Sequence, residues 1–132
     1  MDPDTIDYAG AGEFLERFRR ACETFDGDLL VALFTEDAEY HEDPFEPPLV
    51  GHNALRAYWL TAAESQDQVE VTIERHWTSG HTVLAAWHAG FVRRPRGDRV
   101  RLAGFMTFEM RDGRCYRFRE WWHRRESPAP AG

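Results

Sequence analysis

Apolar residues recur every three or four positions in three stretches of the first half of the chain. The first stretch, Glu13 to Phe25, interleaves apolar and charged positions, which is typical of an amphipathic helix. Asp26-Gly27-Asp28 breaks this pattern and offers an acidic N-cap to a short second helix from Leu29 to Phe34. The third stretch, Asn53 to Glu64, again carries its apolar residues on one stripe. The pattern therefore predicts three helices.

The second half of the sequence changes to a period of two, which indicates strands. Val69–Trp77 alternates between two different faces, and turn signals separate further strands over Thr82–Arg93, Val100–Arg111 and Arg114–Arg124. An earlier short strand is expected over Ala38–Asp43, because a residue before proline is pushed towards extended geometry.

This order of elements predicts an α+β fold. Long, strongly twisted strands can wrap around a helix and leave a conical hollow. We therefore expect three N-terminal helices packed on a strongly curved, mainly antiparallel sheet that forms a cone with an internal pocket. A single domain is expected over residues 13–125, between a flexible N-terminal segment (1–12) and a disordered tail (126–132).

Composition indicates the cellular environment of the protein. The 132 residues contain two cysteines, Cys22 and Cys115, in neither a CxxC nor a zinc-type spacing, so a reduced cytoplasmic environment is the expectation. The N terminus lacks the pattern of a secretory signal, and no apolar run approaches the length that crosses a bilayer. We therefore expect a soluble protein with no membrane partner.

Net charge and aromatic content indicate which classes of binding partner the protein has. A net charge of −7 disfavours nucleic acid, and the arginines from Arg93 to Arg101 straddle a Pro-Arg-Gly-Asp turn, which we interpret as a solvated hairpin tip. Aromatic residues make up 14% of the chain, which favours a lined cavity or a substantial interface.

Two stretches resemble proteins of the nuclear transport factor 2-like superfamily, which includes the SnoaL-like proteins. LLVALFTEDAEYHEDPFEPPLVGHNALRAYW is similar to their second helix, first strand and third helix, and GRCYRFREWWHRRE is similar to their last strand. The resemblance spans about residues 13–125 and implies the cone fold. This fold hosts isomerases, cyclases, hydrolases, dehydratases and non-catalytic modules, so it implies function only weakly.

By analogy with the ketosteroid isomerase branch of this superfamily, large side chains from two helices and the last three strands would line the pocket. The implied ligand-binding residues are Phe14, Phe18, Tyr58, Trp59, Trp87, Phe91, Met106, Phe108, Phe118 and Trp122.

The candidate chemistry is concentrated in Tyr40-His41-Glu42-Asp43, directly before Pro44. In the isomerase branch, the carboxylate before proline in this strand is the base that moves a proton next to a carbonyl. Matching the Asp-Pro pair gives that role to Asp43, whereas counting forward from the second helix gives it to Glu42. On a regular strand His41 and Asp43 share a face, and we expect this pair to face the pocket for proton transfer, although a solvated acidic stretch at its mouth is the alternative.

Glu120 is the remaining catalytic candidate, because alternation places it on the aromatic face of the last strand. A carboxylate among aromatic rings should be salt-bridged, protonated or functional, and Arg75 is a candidate partner. The tyrosine and aspartate that stabilise the isomerase's enolate correspond here to Phe18 and Met106, so this pair of donors is missing. The six histidines show no metal-binding spacing, and we expect neither a metal nor another cofactor.

Two functions follow from these observations. The first is cofactor-free acid–base catalysis, of an isomerase, cyclase or hydrolase type, on a small apolar carbonyl or polyketide-like molecule. The second is a non-catalytic ligand-binding or dimerisation module. In either case we expect a homodimer that forms through the outer face of the sheet, where Leu84, Ala86, His88 and Leu102 are small or apolar.

Overall fold

The computed structural model describes residues 4–130, so the outermost residues of the predicted flexible segment and tail lie outside the described part of the chain. Helix α1 spans Tyr8–Thr24, α2 spans Gly27–Ala32 and α3 spans His52–Ser65. The first helix starts at Tyr8 rather than at Glu13, because Asp7 caps it by accepting the Gly10 N–H at 2.7 Å. Asp26 caps α2 in the same way.

Strand β1 spans Phe34–His41, so the chain leaves the helix earlier than the apolar spacing predicted. Phe34 was assigned to the second helix, but its ring is fully buried in β1. The pairing of β1 with the last strand shifts register between Phe34 and Glu39, and this irregularity hides the period of two. A second strand, β2 (Leu49–Val50), lies within the proline-rich loop and is too short to leave a sequence pattern.

Four long strands complete the sheet: β3 (Gln66–Ser79), β4 (Thr82–Arg93), β5 (Asp98–Arg111) and β6 (Arg114–Ser127). The order across the sheet is β2-β1-β6-β5-β4-β3. Strands β1 and β6 run parallel, while the other neighbours are antiparallel. The predicted α+β class, with three helices on a mainly antiparallel sheet, is confirmed. The sheet is open and has six strands.

One glycine lies where β5 and β6 approach each other unusually closely. A Cβ on Gly104 would lie 2.0 Å from the backbone oxygen of Trp121. Only glycine fits such an approach, which allows the sheet to bend sharply around the helices.

A β-bulge reverses the faces of the second half of β3. The pairing with β4 shifts register between Ile73 and Arg75, so Val69, Val71 and Ile73 face inward whereas Arg75 and Trp77 are exposed. Arg75 stacks over the Trp77 ring at 5.0 Å instead of approaching Glu120. The predicted partnership of Arg75 with Glu120 is therefore wrong.

The apolar core fills the narrow end of the cone. Phe14 and Phe18 of α1 pack edge-on against Phe108 of β5, with ring centroids 5.2 Å and 5.0 Å apart, and Phe118 of β6 lies 4.9 Å from Phe108. None of the helices within residues 4–130 combines the length and the apolar character needed to cross a membrane.

Candidate active site

A cavity of about 260 Å³ lies between the concave face of the sheet and helices α1 and α3. Its wall is mostly aromatic and aliphatic, with two carboxyl groups and two guanidinium groups. The lining residues are Phe18, Cys22, Phe25, Tyr40, Glu42, Tyr58, Trp59, Ala62, Gln66, Val69, Val71, Trp87, Ala89, Phe91, Arg93, Leu102, Met106, Glu120, Trp122 and Arg124.

Most of the ligand-binding residues that the family resemblance implied line this cavity. Those present in the lining are Phe18, Tyr58, Trp59, Trp87, Phe91, Met106 and Trp122. The other three, Phe14, Phe108 and Phe118, are almost completely buried and pack against each other or against Phe18 beneath the cavity. They form its floor and are not part of its lining, because alternation predicts the face of a residue but not its depth.

The register of β4, β5 and β6 arranges the wall in rows. Each residue of a strand rises about 3.3 Å, so rows on one face lie about 6.6 Å apart. From the fully buried floor outward, the rows are Val83–Phe108–Phe118, Ala85–Met106–Glu120, Trp87–Gly104–Trp122 and Ala89–Leu102–Arg124. Leu102 lies on the same face of β5 as Met106, so it faces the cavity. Its predicted place on the outer face of the sheet, where two copies would pair, is therefore wrong.

Glu120 is the innermost charged residue of the wall. Its carboxyl group lies one row above the floor, and no arginine or histidine of residues 4–130 pairs with it. Loss of solvation raises its pKa to about 8, with a further contribution from the negative charge of Glu42. At neutral pH, Glu120 is therefore mainly protonated and can donate a hydrogen bond or a proton.

Glu42, rather than His41 or Asp43, brings the second carboxyl group to the cavity. Tyr40 and Glu42 line it, which continues the inward phase of Ala38. The His41 ring bonds Glu39 at 2.9 Å on the other face, and the exposed Asp43 accepts the Phe45 N–H at 2.9 Å in the following turn. Asp43 contributes to an outer groove next to the cavity. The expected inward pair of His41 and Asp43 is therefore wrong, while their catalytic roles stay predictions.

Two phenols and one indole supply hydrogen-bond donors near these carboxyl groups. Burial raises the pKa of Tyr40 and of Tyr58, and the charges of Glu42 and Glu120 raise both further, so both hydroxyls keep their protons. The Trp87 Nε1 atom is buried without a hydrogen-bond partner, whereas Trp59 donates its Nε1–H to the Ala21 carbonyl at 3.1 Å. An unpaired buried N–H is costly, so Trp87 offers a donor to an oxygen of a bound molecule.

Sequence reasoning missed several wall residues. Cys22 lies one helical turn after Phe18, and burial raises the pKa of its thiol, so it forms an inert apolar part of the wall. Arg93 lies on the same face of β4 as Phe91, and Arg124 lies on the same face of β6 as Glu120. Strand alternation in the sequence could therefore have predicted both. Arg93 was instead grouped with the solvated hairpin tip.

Within the described range 4–130, no three histidine, cysteine, aspartate or glutamate side chains cluster in a way that could hold an ion.

A twisted cone with an aromatic cavity defines the class of nuclear transport factor 2-like folds. Residues 15–118 match the model of the SnoaL-like domain, and the chain belongs to this family. Among the curated proteins, none matches this chain.

Several solved structures share the fold. An LEH-like epoxide hydrolase from Mycobacterium tuberculosis is 24% identical, with a TM-score of 0.74 over 92% of this chain and 86% of that one. A putative isomerase from Bacillus subtilis is 22% identical, with a TM-score of 0.78 over 88% of each chain. The epoxide hydrolase/cyclase-like enzyme SalBIII, described in pyran ring formation in the polyether salinomycin, is 21% identical, with a TM-score of 0.76 over 89% of this chain and 93% of that one.

Proposed function

We propose that the protein is an enzyme that performs cofactor-free acid–base chemistry on a small, largely apolar carbonyl compound of a polyketide-like kind. The observation that carries this proposal is that Glu120 and Glu42 line the same largely apolar cavity, where no cation of residues 4–130 forms an ion pair with Glu120. Loss of solvation and the nearby Glu42 accordingly raise the pKa of Glu120 to about 8. A protonated acid beside a carboxylate gives an apolar cavity both a proton donor and a proton acceptor. A merely structural wall would not need this costly pair.

Each carboxyl group has a distinct role in the proposed reaction. Glu120 donates its proton to the carbonyl oxygen, while the carboxylate of Glu42 removes a proton from the adjacent carbon. The C–H bond breaks, an O–H bond forms and the substrate becomes an enol. When a C=C bond is conjugated to the enol, Glu42 gives its proton to the far carbon, the enol O–H proton returns to Glu120, and the product is an isomer. When the enol carbon instead attacks a second carbonyl, a C–C bond closes a ring, the enol O–H proton returns to Glu120, and Glu42 protonates the new alkoxide.

Other wall residues would hold the reacting oxygen. The corresponding donors of ketosteroid isomerase are replaced here by Phe18 and Met106, but Glu120 is one row from Trp87, whose Nε1–H is unpaired. These two donors, on β6 and on β4 with β5 between them, would take the place of the missing ones from other positions of the cone. The aromatic rings of Trp59 and Trp122 would exclude water from the enol.

The chemistry named for the similar structures supports this reading. An epoxide hydrolase, an isomerase and an epoxide hydrolase/cyclase-like enzyme share the fold. Acid–base residues in an apolar cavity serve all three reaction types.

The test is hydrogen–deuterium exchange next to a carbonyl, which needs no knowledge of the natural substrate. In D2O, the wild type should accelerate exchange of the α-protons of 1-tetralone, followed by proton NMR. Glu42→Gln should slow this exchange by about 100-fold, because general-base catalysis commonly contributes that much. Glu120→Gln should slow it as well, and the wild-type rate should fall as the pH rises above about 8, where the acid loses its proton.

A matched control separates the cavity from the surface. Glu39 is on the same strand as the Glu42 segment but bonds His41 on the outer face, so Glu39→Gln should exchange at the wild-type rate. A wild-type rate in Glu42→Gln together with loss in Asp43→Asn would transfer the base to Asp43. No acceleration by the wild type would favour a ligand-binding module and contradict the proposal.

Pairing of two copies through the outer face of the sheet also stays a proposal. Trp77 and Phe105 stack there with ring centroids 5.9 Å apart and pair in register with the apolar residues Leu84 and Ala86. Trp121 on the same face is 43% exposed. Light scattering should give the mass of a dimer, and a monomer at micromolar concentration would contradict it.

A further inference from the structure

We propose that the substrate is an elongated apolar molecule with a carboxylate at the end remote from the reacting carbonyl, and that Arg124 at the cavity mouth binds this carboxylate. This inference names the substrate class of the same cavity and rests on the proposed function.

The mouth of the cavity carries an arginine that has no counter-ion among residues 4–130. Arg93 and Arg124 both line the cavity. Arg93 donates its Nε–H to Glu126 at 2.8 Å, whereas no carboxylate of residues 4–130 pairs with Arg124. The pair of Arg93 and Glu126 is neutral, so Arg124 gives the mouth a positive charge although the whole chain carries −7.

The other carboxylates of this region are occupied or distant. Asp98 accepts the Ala129 N–H at 3.1 Å and lies 3.6 Å from Arg96. Glu120 shares the inward face of β6 with Arg124 but lies two rows deeper, which is about 13 Å along the strand. An incoming anion would therefore be the partner of Arg124.

The wall between these two ends specifies the shape of the ligand. The row between Glu120 and Arg124 contains Trp87 and Trp122, and Leu102 is directly beside Arg124. A ligand that reaches from Glu120 to Arg124 therefore needs an apolar body about 13 Å long with a polar group at each end. A carboxylate at the outer end matches the guanidinium in charge and in geometry.

The experiment compares decanoate with decanamide, which has a chain of the same length without the charge, by isothermal titration calorimetry on the full-length protein. The wild type should bind decanoate about fivefold more tightly, as expected for an ion pair that is partly open to water. Arg124→Gln should bind the two compounds equally and keep the affinity for decanamide. Arg124→Lys should retain part of the preference, and added NaCl should reduce it in the wild type.

The adjacent arginine provides the matched control. Arg125 follows Arg124 on the same strand and pairs with Arg101, so alternation puts its side chain on the opposite face of the sheet. Arg125→Gln therefore removes the same charge and should keep the preference for decanoate. Equal binding of both compounds by the wild type, no binding of either, or a preference that persists in Arg124→Gln would each overturn the proposal.

The outcome is independent of the catalytic assignment. The preference for decanoate should persist in Glu120→Gln, since Glu120 is at the opposite end of the cavity. A preserved preference together with no exchange of 1-tetralone would remove the proposed chemistry and leave the anion site standing. The reverse result would leave the chemistry and remove Arg124 from recognition.

Discussion

The two faces of strand β6 differ in whether their charged side chains form ion pairs. On the outer face, Arg117 lies 3.4 Å from Glu109 and 3.8 Å from Glu39, and solvent reaches all three side chains. On the inner face, Glu120 has no cation within the described residues and keeps its proton because its pKa is raised to about 8. These three outer charges partly neutralise each other. The inner carboxyl group is left uncompensated, which is what acid catalysis requires.

The largest expected effect concerns the pH dependence of stability. Between pH 4.5 and about 8 the folded protein holds a proton on Glu120 that the unfolded chain releases, so stability falls as the pH rises through this window. One pKa unit corresponds to about 1.4 kcal/mol. Glu120→Gln removes this titration. The stability of the variant minus that of the wild type should therefore be about 4 kcal/mol larger at pH 9 than at pH 5.

Urea unfolding at the two pH values measures this difference. Glu70→Gln serves as the control, because Glu70 is exposed on the outer face of β3, and its stability relative to the wild type should change little between pH 5 and pH 9. If Glu120→Gln tracked the wild type at both values, Glu120 would be an ordinary solvated carboxylate and the contrast between the faces would disappear.

Sequence patterns predicted the inner face of β6 but not that of β1. The regular alternation of Phe118, Glu120 and Trp122 placed Glu120 correctly on the aromatic face. In β1, the register shift after Phe34 obscured the alternation, and the match to Asp-Pro favoured the wrong phase. The sequence signal for Glu42 was the aromatic residue Tyr40, because residues two apart share a face and Tyr40 is buried in the structure.

The missed features depend on long-range geometry. The bulge in β3 that turns Arg75 outward depends on its pairing with β4, which no local pattern shows. Arg124 lies at the mouth because its row is the outermost of the four inward-facing rows. Which rows lie at the mouth depends on how much of the cone the core fills, and a sequence pattern does not show this. The fold class, in contrast, follows from the order and period of the elements, which are local.

The next largest effect concerns the close approach of β5 and β6 at Gly104. In Gly104→Ala the new Cβ would lie 2.0 Å from the Trp121 oxygen, so β5 and β6 must move apart. We expect a loss of about 3 kcal/mol in the free energy of unfolding, comparable to severe overpacking. Urea denaturation gives this value directly.

Gly90→Ala is the matched control for this change. Gly90 also lies within a long strand, but its Cβ would meet the Val100 oxygen at 3.7 Å, an ordinary contact. This variant should stay within about 1 kcal/mol of the wild type. Similar losses in the two variants would mean that Gly104 acts through general strand propensity and not through the close approach of β6.

The smallest effect is expected on the outer face. Arg117→Gln removes the cation that lies between Glu109 and Glu39, but the side chain is 35% exposed and both of its contacts are longer than 3.3 Å. We expect a loss of only about 0.5 kcal/mol, measured by urea denaturation at low salt, because exposed ion pairs contribute little. High salt should erase this difference, since screening already weakens the pair in the wild type. A loss as large as that of Gly104→Ala would show that the outer charges hold the sheet together, and the contrast with the uncompensated inner face would then no longer identify Glu120 as functional.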